Sequence, residues 1–140
     1  MEQTERPRLL TKRQNEQKAI LIVDDEPIVL EFVSAILSVE YTILSAVNGA
    51  DAIRRSNEFP GKIDVLLSDF QMPEMTGIEL ATHICEVRPE VRILLMSGFT
   101  GGMLVLNEGW HFLPKPFIPS QLRAIVSNLL NGGKPFMPPR

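Results

Sequence analysis

Short apolar runs alternate along the chain with segments in which apolar residues recur every three or four positions. Runs of this kind, bounded by turn residues, are typical of strands buried on both faces, and the recurring pattern is typical of helices that cover a sheet. The predicted strands are Ala19–Val23, Tyr41–Val47, Ile63–Ser68, Val91–Met96 and Trp110–Leu113. Five helical segments separate and follow them, so the pattern predicts a single α/β domain with a five-stranded parallel sheet.

The first predicted helix is unusually apolar. The segment Ile28–Val39 contains three polar residues that form one narrow stripe, Glu31, Ser34 and Ser38. Such a helix is either buried over most of its surface or keeps an exposed face for a partner, and the sequence leaves both interpretations open. The next helices are predicted over Ala50–Asn57 and about Thr76–Val87. Their pattern, and that of the last helix, predicts these inward-facing residues: Leu80, Ala81, Ile84, Val87, Leu122, Ile125, Val126, Leu129 and Leu130.

The segment between Ser97 and Lys115 departs from this regular alternation. It is short, and the pair Gly101-Gly102 disfavours a helix, so at most a shortened fourth helix fits over Met103–Leu106. The last helix begins near Ile118, without a Ser or Thr in the cap position. Its start is therefore predicted to be less well fixed.

Both ends of the chain differ in composition from this core. Residues 1–17 are polar with a basic excess, and residues 132–140 are rich in glycine and proline. Both segments are predicted to be flexible tails around a domain that spans residues 18–131. A length of 140 residues suits one domain with a sizeable core.

Charge and cysteine content exclude several classes of protein. The formal charge is −3, so no basic surface indicates direct nucleic-acid binding, and the lone Cys85 cannot form an internal disulfide. No apolar run approaches the roughly 18 residues of a membrane span, and the first residues do not form a secretory signal. A cytoplasmic protein without membrane contact is expected.

Chemically reactive side chains follow several of the predicted strands. Asp24 and Asp25 end the first strand, Asp69 the third and Ser97 the fourth, and the fifth strand leads into Lys115. The carboxyl ends of parallel strands meet at one edge, so these side chains are expected to converge. Converging carboxylates repel one another, and a hard cation such as Mg²⁺ relieves that repulsion. A lysine and a hydroxyl beside the metal suit a phosphoryl group, and one carboxylate then serves as nucleophile.

Each of these residues also has an ordinary structural explanation when taken alone. The pair Asp24-Asp25 before Pro27 suits the start of a helix, Asp69 suits a turn, and Lys115 between two prolines suits a solvated surface. Their joint position at the ends of successive strands is what favours a common site.

The same residues carry a resemblance to a known family. The chain is similar to the receiver domains of bacterial two-component response regulators, of the chemotaxis-regulator type, over about Lys18 to Asn131. The matching segments are Ile20–Pro27, Leu66–Gly77, Leu94–Gly98 and Lys115–Phe117. The resemblance implies a doubly wound, flavodoxin-like fold in which helices flank a five-stranded parallel sheet.

The resemblance also implies a metal site and a phosphoacceptor. Asp69 matches the phosphoacceptor of the family, and Asp25 matches the direct carboxylate ligand of Mg²⁺. Asp24 lies beside it and often acts through water, while the backbone carbonyl of Gln71 is expected to complete the metal shell.

Three further residues are implied to assist or report phosphorylation. Lys115 matches the lysine that pairs with the phosphoryl group, and its bond to Pro116 is expected to be cis. Ser97 matches the switch hydroxyl that moves to the phosphoryl oxygen. Phe112 matches the aromatic residue that turns inward with it, and lacks the phenolic hydroxyl common there.

The implied function is that of a phosphoacceptor switch which assists its own phosphorylation and dephosphorylation, and not of an enzyme. The expected partners are a histidine kinase or histidine phosphotransfer protein and a downstream protein target. The alternative is a pseudo-receiver that binds proteins without phosphorylation, although Asp69 and Lys115 are both present. A phosphatase with Asp-x-Asp after its first strand is disfavoured by Asp24-Asp25-Glu26, and no P-loop or dinucleotide fingerprint is present.

Overall fold

The sheet contains five parallel strands. The computed structural model describes residues 17–98 and 110–132. The strands are β1 (Ala19–Val23), β2 (Thr42–Ala46), β3 (Val65–Asp69), β4 (Arg92–Ser97) and β5 (His111–Pro114). They are hydrogen-bonded in the order β2-β1-β3-β4-β5, and every neighbouring pair is parallel. The predicted five-stranded α/β fold is therefore confirmed, with the reversal of strand order between β1 and β3.

Helices cover both faces of the sheet. Within the described ranges they are α1 (Pro27–Leu37), α2 (Gly49–Glu58), α3 (Gly77–Val87) and α4 (Pro119–Leu130). The buried residues of α1 and α4 pack in one apolar cluster, and those of α2 and α3 pack in another on the opposite face. This arrangement explains the continuous apolar run of β1, since Ile20 and Ile22 belong to the first cluster and Leu21 and Val23 to the second.

Most predicted boundaries were correct to within one or two residues, but some details were wrong. Val87 was predicted to face inward, yet it is 53% exposed. The start of α4 is held better than predicted, because Gln121 Oε1 accepts a hydrogen bond from the backbone N–H of Ile118 at 2.9 Å. The predicted short helix over Met103–Leu106 and most of both predicted tails lie outside the described residues.

Helix α1 buries different residues from those its polar stripe predicted. Ser34 was assigned to the solvent side, but its Oγ is buried and has no hydrogen-bond partner among the described residues. Three large apolar side chains are instead exposed: Ile28 by 81%, Phe32 by 46% and Val39 by 81%. The interpretation that the whole apolar surface is core is therefore wrong.

Arg88, at the end of α3, ties the end of α2 to the segment before β3. Its Nε donates to Ser56 Oγ at 2.9 Å, and its Nη2 donates to the carbonyl oxygens of Ser56 and Phe59 at 2.8 and 3.0 Å. Its Nη1 donates to the carbonyl oxygen of Gly61 at 2.8 Å. The guanidinium thus satisfies carbonyl groups that the end of a helix leaves without partners.

Replacing Arg88 by methionine should lower the free energy of unfolding by about 2 kcal/mol or more, because several carbonyl groups lose a charged donor. Urea unfolding measures the difference. Arg54→Met is the matched control, since among the described residues Arg54 pairs only with Asp51 and Glu58 on the exposed side of α2, and it should change stability far less. Equal losses in the two variants would contradict the structural role of Arg88.

Candidate functional site

Three aspartates meet at the carboxyl edge of the sheet, by which we mean the edge where the parallel strands end. Asp24 and Asp25 follow β1, and Asp69 is the last residue of β3. One carboxylate oxygen of each lies within 4.8 Å of the others. Asp24 is fully buried and Asp69 nearly so, whereas Asp25 is exposed. The cluster thus runs from the interior to the surface.

Backbone hydrogen bonds fix Asp24 at the junction between β1 and α1. Its N–H donates to the carbonyl oxygen of Ala46 at 3.2 Å, which extends the pairing with β2 by one residue. Its Oδ1 accepts a hydrogen bond from the N–H of Glu26 at 2.9 Å, just before α1 begins. The other oxygen, Oδ2, is buried and accepts no hydrogen bond from the described residues.

Lys115 supplies the positive charge of the cluster. Its Nζ donates to Asp69 Oδ1 at 3.2 Å and lies 3.6 Å from Asp24 Oδ2. Its backbone N–H donates to the carbonyl oxygen of Ser97 at 2.7 Å, which connects the ends of β4 and β5. The peptide bond between Lys115 and Pro116 is cis, as the resemblance implied.

One ammonium group does not neutralise this site. Burial raises the pKa of Asp24 above its ordinary value, and the nearby charge of Asp69 adds to this effect. Burial also raises the pKa of Asp69, against the lowering influence of Lys115. For Lys115 itself, burial lowers the pKa, but the charges of Asp69 and Asp24 outweigh burial and the net shift is upward. The site is therefore short of positive charge.

The donor set fits a hard divalent cation. All three side chains offer carboxylate oxygens, and the buried Asp24 Oδ2 has no hydrogen-bond donor among the described residues. Mg²⁺ prefers oxygen ligands of this kind and commonly keeps part of its water shell, which the exposed Asp25 side of the cluster permits.

The remaining predicted residues lie on β4, on β5 and in the loop after β3. Ser97 is buried at the end of β4, one position beyond Met96, which pairs with Asp69. Phe112, in β5, is half-buried and packs against the cluster of α2 and α3. Gln71 is exposed in the loop after β3, two residues beyond Asp69. Of these, Ser97 ends its strand at the same edge as the aspartates, whereas Phe112 lies two residues before the end of β5.

Gly77 has a structural role at this edge that its place in the sequence does not indicate. Its N–H donates to the carbonyl oxygen of Phe70 at 2.8 Å, which closes the loop between β3 and α3. A Cβ atom at this position would overlap the carbonyl oxygen of Asp69. Only a glycine therefore allows α3 to begin this close to the backbone of Asp69, a distance that the sequence does not reveal.

Gly77→Ala should displace the backbone of Asp69 and destabilise the fold by about 1–3 kcal/mol, because the added methyl group overlaps backbone atoms that cannot move freely. Urea unfolding measures the cost. Gly98→Ala is the matched control at the same edge, since within the described part of the chain its Cβ would meet only Lys115 Cβ, at 4.0 Å. A neutral Gly77→Ala variant would show that the loop relaxes easily.

No helix within the described residues is long and apolar enough to cross a membrane.

Comparisons with known proteins agree with the geometry. The response regulator receiver domain family matches residues 20–127. The receiver protein CpdR of Brucella abortus is 39% identical over 119 residues, which cover 80% of this chain and 93% of that protein. The sensor kinase CckA of the same organism is 33% identical over 116 residues, covering 79% of this chain but 12% of the kinase.

A solved structure shows the same fold. The chemotaxis response regulator CheY4 of Vibrio cholerae matches with a TM-score of 0.70 and 28% identity, covering 81% of this chain and 99% of that one. The chain thus spans nearly all of some relatives and about a quarter or less of others, such as the transcriptional regulatory protein GlrR of Escherichia coli, at 27%. On the family match and the shared fold, the chain belongs to the response-regulator receiver domains of two-component systems.

Proposed function

We propose that Asp69 is the phosphoacceptor of this receiver domain and that Asp24, Asp25, Asp69 and the backbone carbonyl of Gln71 hold Mg²⁺. The observation that carries the proposal is the convergence of three carboxylates with the Lys115 ammonium at the carboxyl edge. A structural ion pair needs one carboxylate per lysine, and this site has a surplus of negative charge that a metal and a phosphoryl group would use.

The proposed reaction is the transfer of a phosphoryl group from a phosphohistidine. A carboxylate oxygen of Asp69 attacks phosphorus, the P–N bond breaks with its electron pair going to the imidazole, and an aspartyl phosphate forms. Lys115 Nζ, already 3.2 Å from Asp69 Oδ1, is placed to balance the charge of the phosphoryl oxygens. Bound Mg²⁺ would supply additional charge neutralisation at the same oxygens.

Ser97 and Phe112 are the proposed switch. Ser97 is buried at the end of β4, one position past the strand partner of Asp69, which supports a switch role for its hydroxyl. Phe112 pairs with Leu95 on the next strand and is half-buried. Inward movement of its ring on phosphorylation of Asp69 would change the shape of the surface near β5.

The proposed role is regulatory rather than enzymatic: a cytoplasmic switch that takes its phosphoryl group from a histidine kinase or phosphotransfer protein and acts on a downstream protein. Direct contact with nucleic acid is not part of this role, since the chain has a formal charge of −3. A pseudo-receiver role is disfavoured, because Asp69 and Lys115 are both present and form an ion pair.

Intact-mass measurement after incubation with a small phosphodonor tests this function. With Mg²⁺ the protein should gain the mass of one phosphoryl group, and with EDTA it should gain none. Peptide mapping after reductive trapping of the acyl phosphate should locate the group on Asp69. An adduct on another residue, or one that forms equally in EDTA, would contradict the proposal.

The exposed apolar face of α1 is the proposed contact for the histidine-containing partner. Ile28 and Phe32 lie on this face near the carboxyl edge, and Phe32 lines an open cavity of about 500 Å³ together with Lys115 and Phe117. Large apolar side chains exposed beside a reactive site indicate a protein contact more readily than a small-molecule one. A donor helix packed here would bring its phosphohistidine to the edge that holds Asp69.

Phe32→Asp should therefore slow phosphotransfer from a phosphorylated histidine protein by about tenfold or more, since a charge replaces an apolar contact at the interface. Uptake from a small phosphodonor should be unchanged. Val87→Asp, which places the same charge on an exposed apolar position of α3, is the control and should leave both rates intact. A normal rate of transfer to Phe32→Asp would place the docking surface elsewhere.

A further inference from the structure

A second pocket lies at the amino edge of the sheet, by which we mean the edge where the parallel strands begin. It encloses about 570 Å³, within the range of pockets that bind small molecules. Four segments contribute side chains to its wall: Lys18 precedes β1, Asp64 precedes β3, Arg92 begins β4 and Trp110 precedes β5. These four strands lie side by side in the sheet. The pocket therefore lies at the opposite edge from the aspartates, and the proposed phosphoryl chemistry uses none of its residues.

The charged groups of this pocket carry a surplus of positive charge. Its wall contains three cationic side chains and two carboxylates, namely Lys18, Lys62, Arg92, Asp64 and Glu90. Lys18 Nζ and Lys62 Nζ lie 4.0 and 3.8 Å from the same carboxylate oxygen, Asp64 Oδ1. Lys62 Nζ also lies 3.5 Å from Glu90 Oε1, but the Glu90 side chain is 80% exposed, so water screens its charge. The wall thus has one net positive charge, in a chain whose formal charge is −3.

The three cations also have hydrogen-bond donors that the described residues do not use. The distances of the two ammonium groups from Asp64 Oδ1 are longer than hydrogen bonds. The other oxygen, Asp64 Oδ2, instead accepts from the N–H of Ala19 at 2.9 Å. Arg92 is exposed, and its guanidinium forms no ion pair or hydrogen bond with another described residue. A ligand with several anionic oxygens would therefore find donors in place on Lys18, Lys62 and Arg92.

Cations at this edge could instead serve the ends of the helices, whose last carbonyl groups carry partial negative charge. Arg88 has that function at the end of α2, and it does not line the pocket. No hydrogen bond joins Lys18, Lys62 or Arg92 to a helix carbonyl in the described part of the chain. The charge of these three side chains is therefore available to a ligand.

Trp110 gives the pocket an aromatic surface. Its ring packs against the apolar cluster of α2 and α3 but is only half-buried, so part of it remains uncovered by the described residues. Ile93 and Leu130 also line the cavity. An inorganic phosphate would satisfy the cations but would leave Trp110 and most of a cavity of this volume uncovered. A ligand that joins anionic oxygens to a planar ring would use the cations and the indole together.

We propose that the pocket at the amino edge binds a nucleotide, with its phosphate oxygens on Lys18, Lys62 and Arg92 and its base against Trp110. Arginine offers phosphate a planar fork of donors and lysine a compact charge, so the two types complement each other at a chain of phosphates. Every base has a face that can stack on an aromatic side chain. Arg92 and Trp110 stand at the starts of neighbouring strands and line the same cavity, so one ligand can contact both.

The emission of Trp110 reports the occupancy of the pocket, because it is the only tryptophan of the chain. The probe is ADP, and EDTA is present throughout so that no metal draws the nucleotide to the aspartates. Titration of the whole chain with ADP should quench the emission to a plateau, since the base stacks on the indole. Adenosine and pyrophosphate, the two parts of the probe, should each bind about tenfold more weakly or worse.

Arg92→Gln should weaken the binding of ADP about tenfold or more, because a neutral amide cannot replace the charge. Arg123→Gln is the matched control, since Arg123 is exposed on α4 and does not line the pocket. The control should bind ADP as the wild type does. An affinity that Arg92→Gln leaves unchanged, or that both variants lower equally, would overturn the proposal.

The probes themselves can also overturn it. A failure of ADP to quench the emission to a plateau would exclude the site. Equal affinities for ADP and pyrophosphate would exclude a role for Trp110, and with it a nucleotide as the ligand. The titration requires neither Mg²⁺ nor Asp69, so its result is independent of whether Asp69 accepts a phosphoryl group.

Discussion

Replacement of Asp69 by asparagine is expected to abolish phosphoryl uptake altogether. The amide keeps the size of the side chain and an oxygen beside Lys115, but it has no nucleophilic carboxylate with which to attack phosphorus. The fold should survive, because burial disfavours the charged form of Asp69, as its raised pKa shows. Intact-mass measurement with a small phosphodonor and Mg²⁺ should show no added phosphoryl group.

Asp64→Asn is the matched control for this result. Asp64 lies just before the start of β3, at the opposite edge of the sheet from Asp69, so the two substitutions are the same chemical change at the two ends of one strand. The Asp64 variant should gain a full phosphoryl group. If Asp69→Asn takes up as much phosphoryl group as the wild type, another carboxylate, Asp24 or Asp25, is the acceptor.

Asp24→Asn is expected to stabilise the metal-free protein while removing most of its response to Mg²⁺. Asp24 is fully buried and its Oδ2 has no hydrogen bond from the described residues, so the negative charge there opposes folding. Removing that charge should raise the free energy of unfolding by about 1–3 kcal/mol at neutral pH. Added Mg²⁺ should stabilise the wild type much more than the variant.

The stability that Asp24→Asn gains in the absence of metal should depend on pH in a defined direction. The pKa of Asp24 is raised in the folded state from its ordinary value of 3.8, so the folded protein binds the proton more tightly than the unfolded chain does. Wild-type stability therefore falls as the pH rises from that value through the raised pKa. The advantage of Asp24→Asn should be absent below the ordinary pKa and grow across the same interval.

The variant Asp25→Asn separates the cost of burying a carboxylate from the contribution of that carboxylate to Mg²⁺ binding. Asp25 belongs to the same cluster but is exposed, so its charge remains hydrated and its removal should stabilise the metal-free protein less. Asp25→Asn should nevertheless lose about as much of the stabilisation by Mg²⁺ as Asp24→Asn does. Urea unfolding with and without the metal measures both quantities, and a metal-free Asp24→Asn protein less stable than wild type would show that the Lys115 pair outweighs burial.

The fold and the composition of the site followed from the sequence for one physical reason. Strands covered on both faces are apolar at every position, as in β1, so they stand out as continuous runs. Once the strands are known, the carboxyl ends of a parallel sheet must lie side by side. The meeting of Asp24, Asp69 and Lys115 therefore needed no distance information.

The details that were missed depend on distances between parts of the chain that pattern cannot supply. An almost wholly apolar helix such as α1 has no periodic contrast, so its exposed side could not be deduced from Ser34 and its neighbours. The position of Gly77 against the backbone of Asp69 and the four hydrogen bonds of Arg88 are likewise contacts between separate segments. Each requires the packed structure.

The course of the chain has a consequence for how such a domain is joined to others. Gln17 precedes β1 and Gly132 follows α4, so both covalent connections of the described fold leave from the amino edge, behind the aspartates. A neighbouring domain attached at either connection would leave the carboxyl edge open to an incoming donor. The same architecture can therefore serve as a separate molecule or as one module of a long polypeptide without alteration of its reactive face, which agrees with the range of relatives, from CpdR at 93% of its length to CckA at 12%.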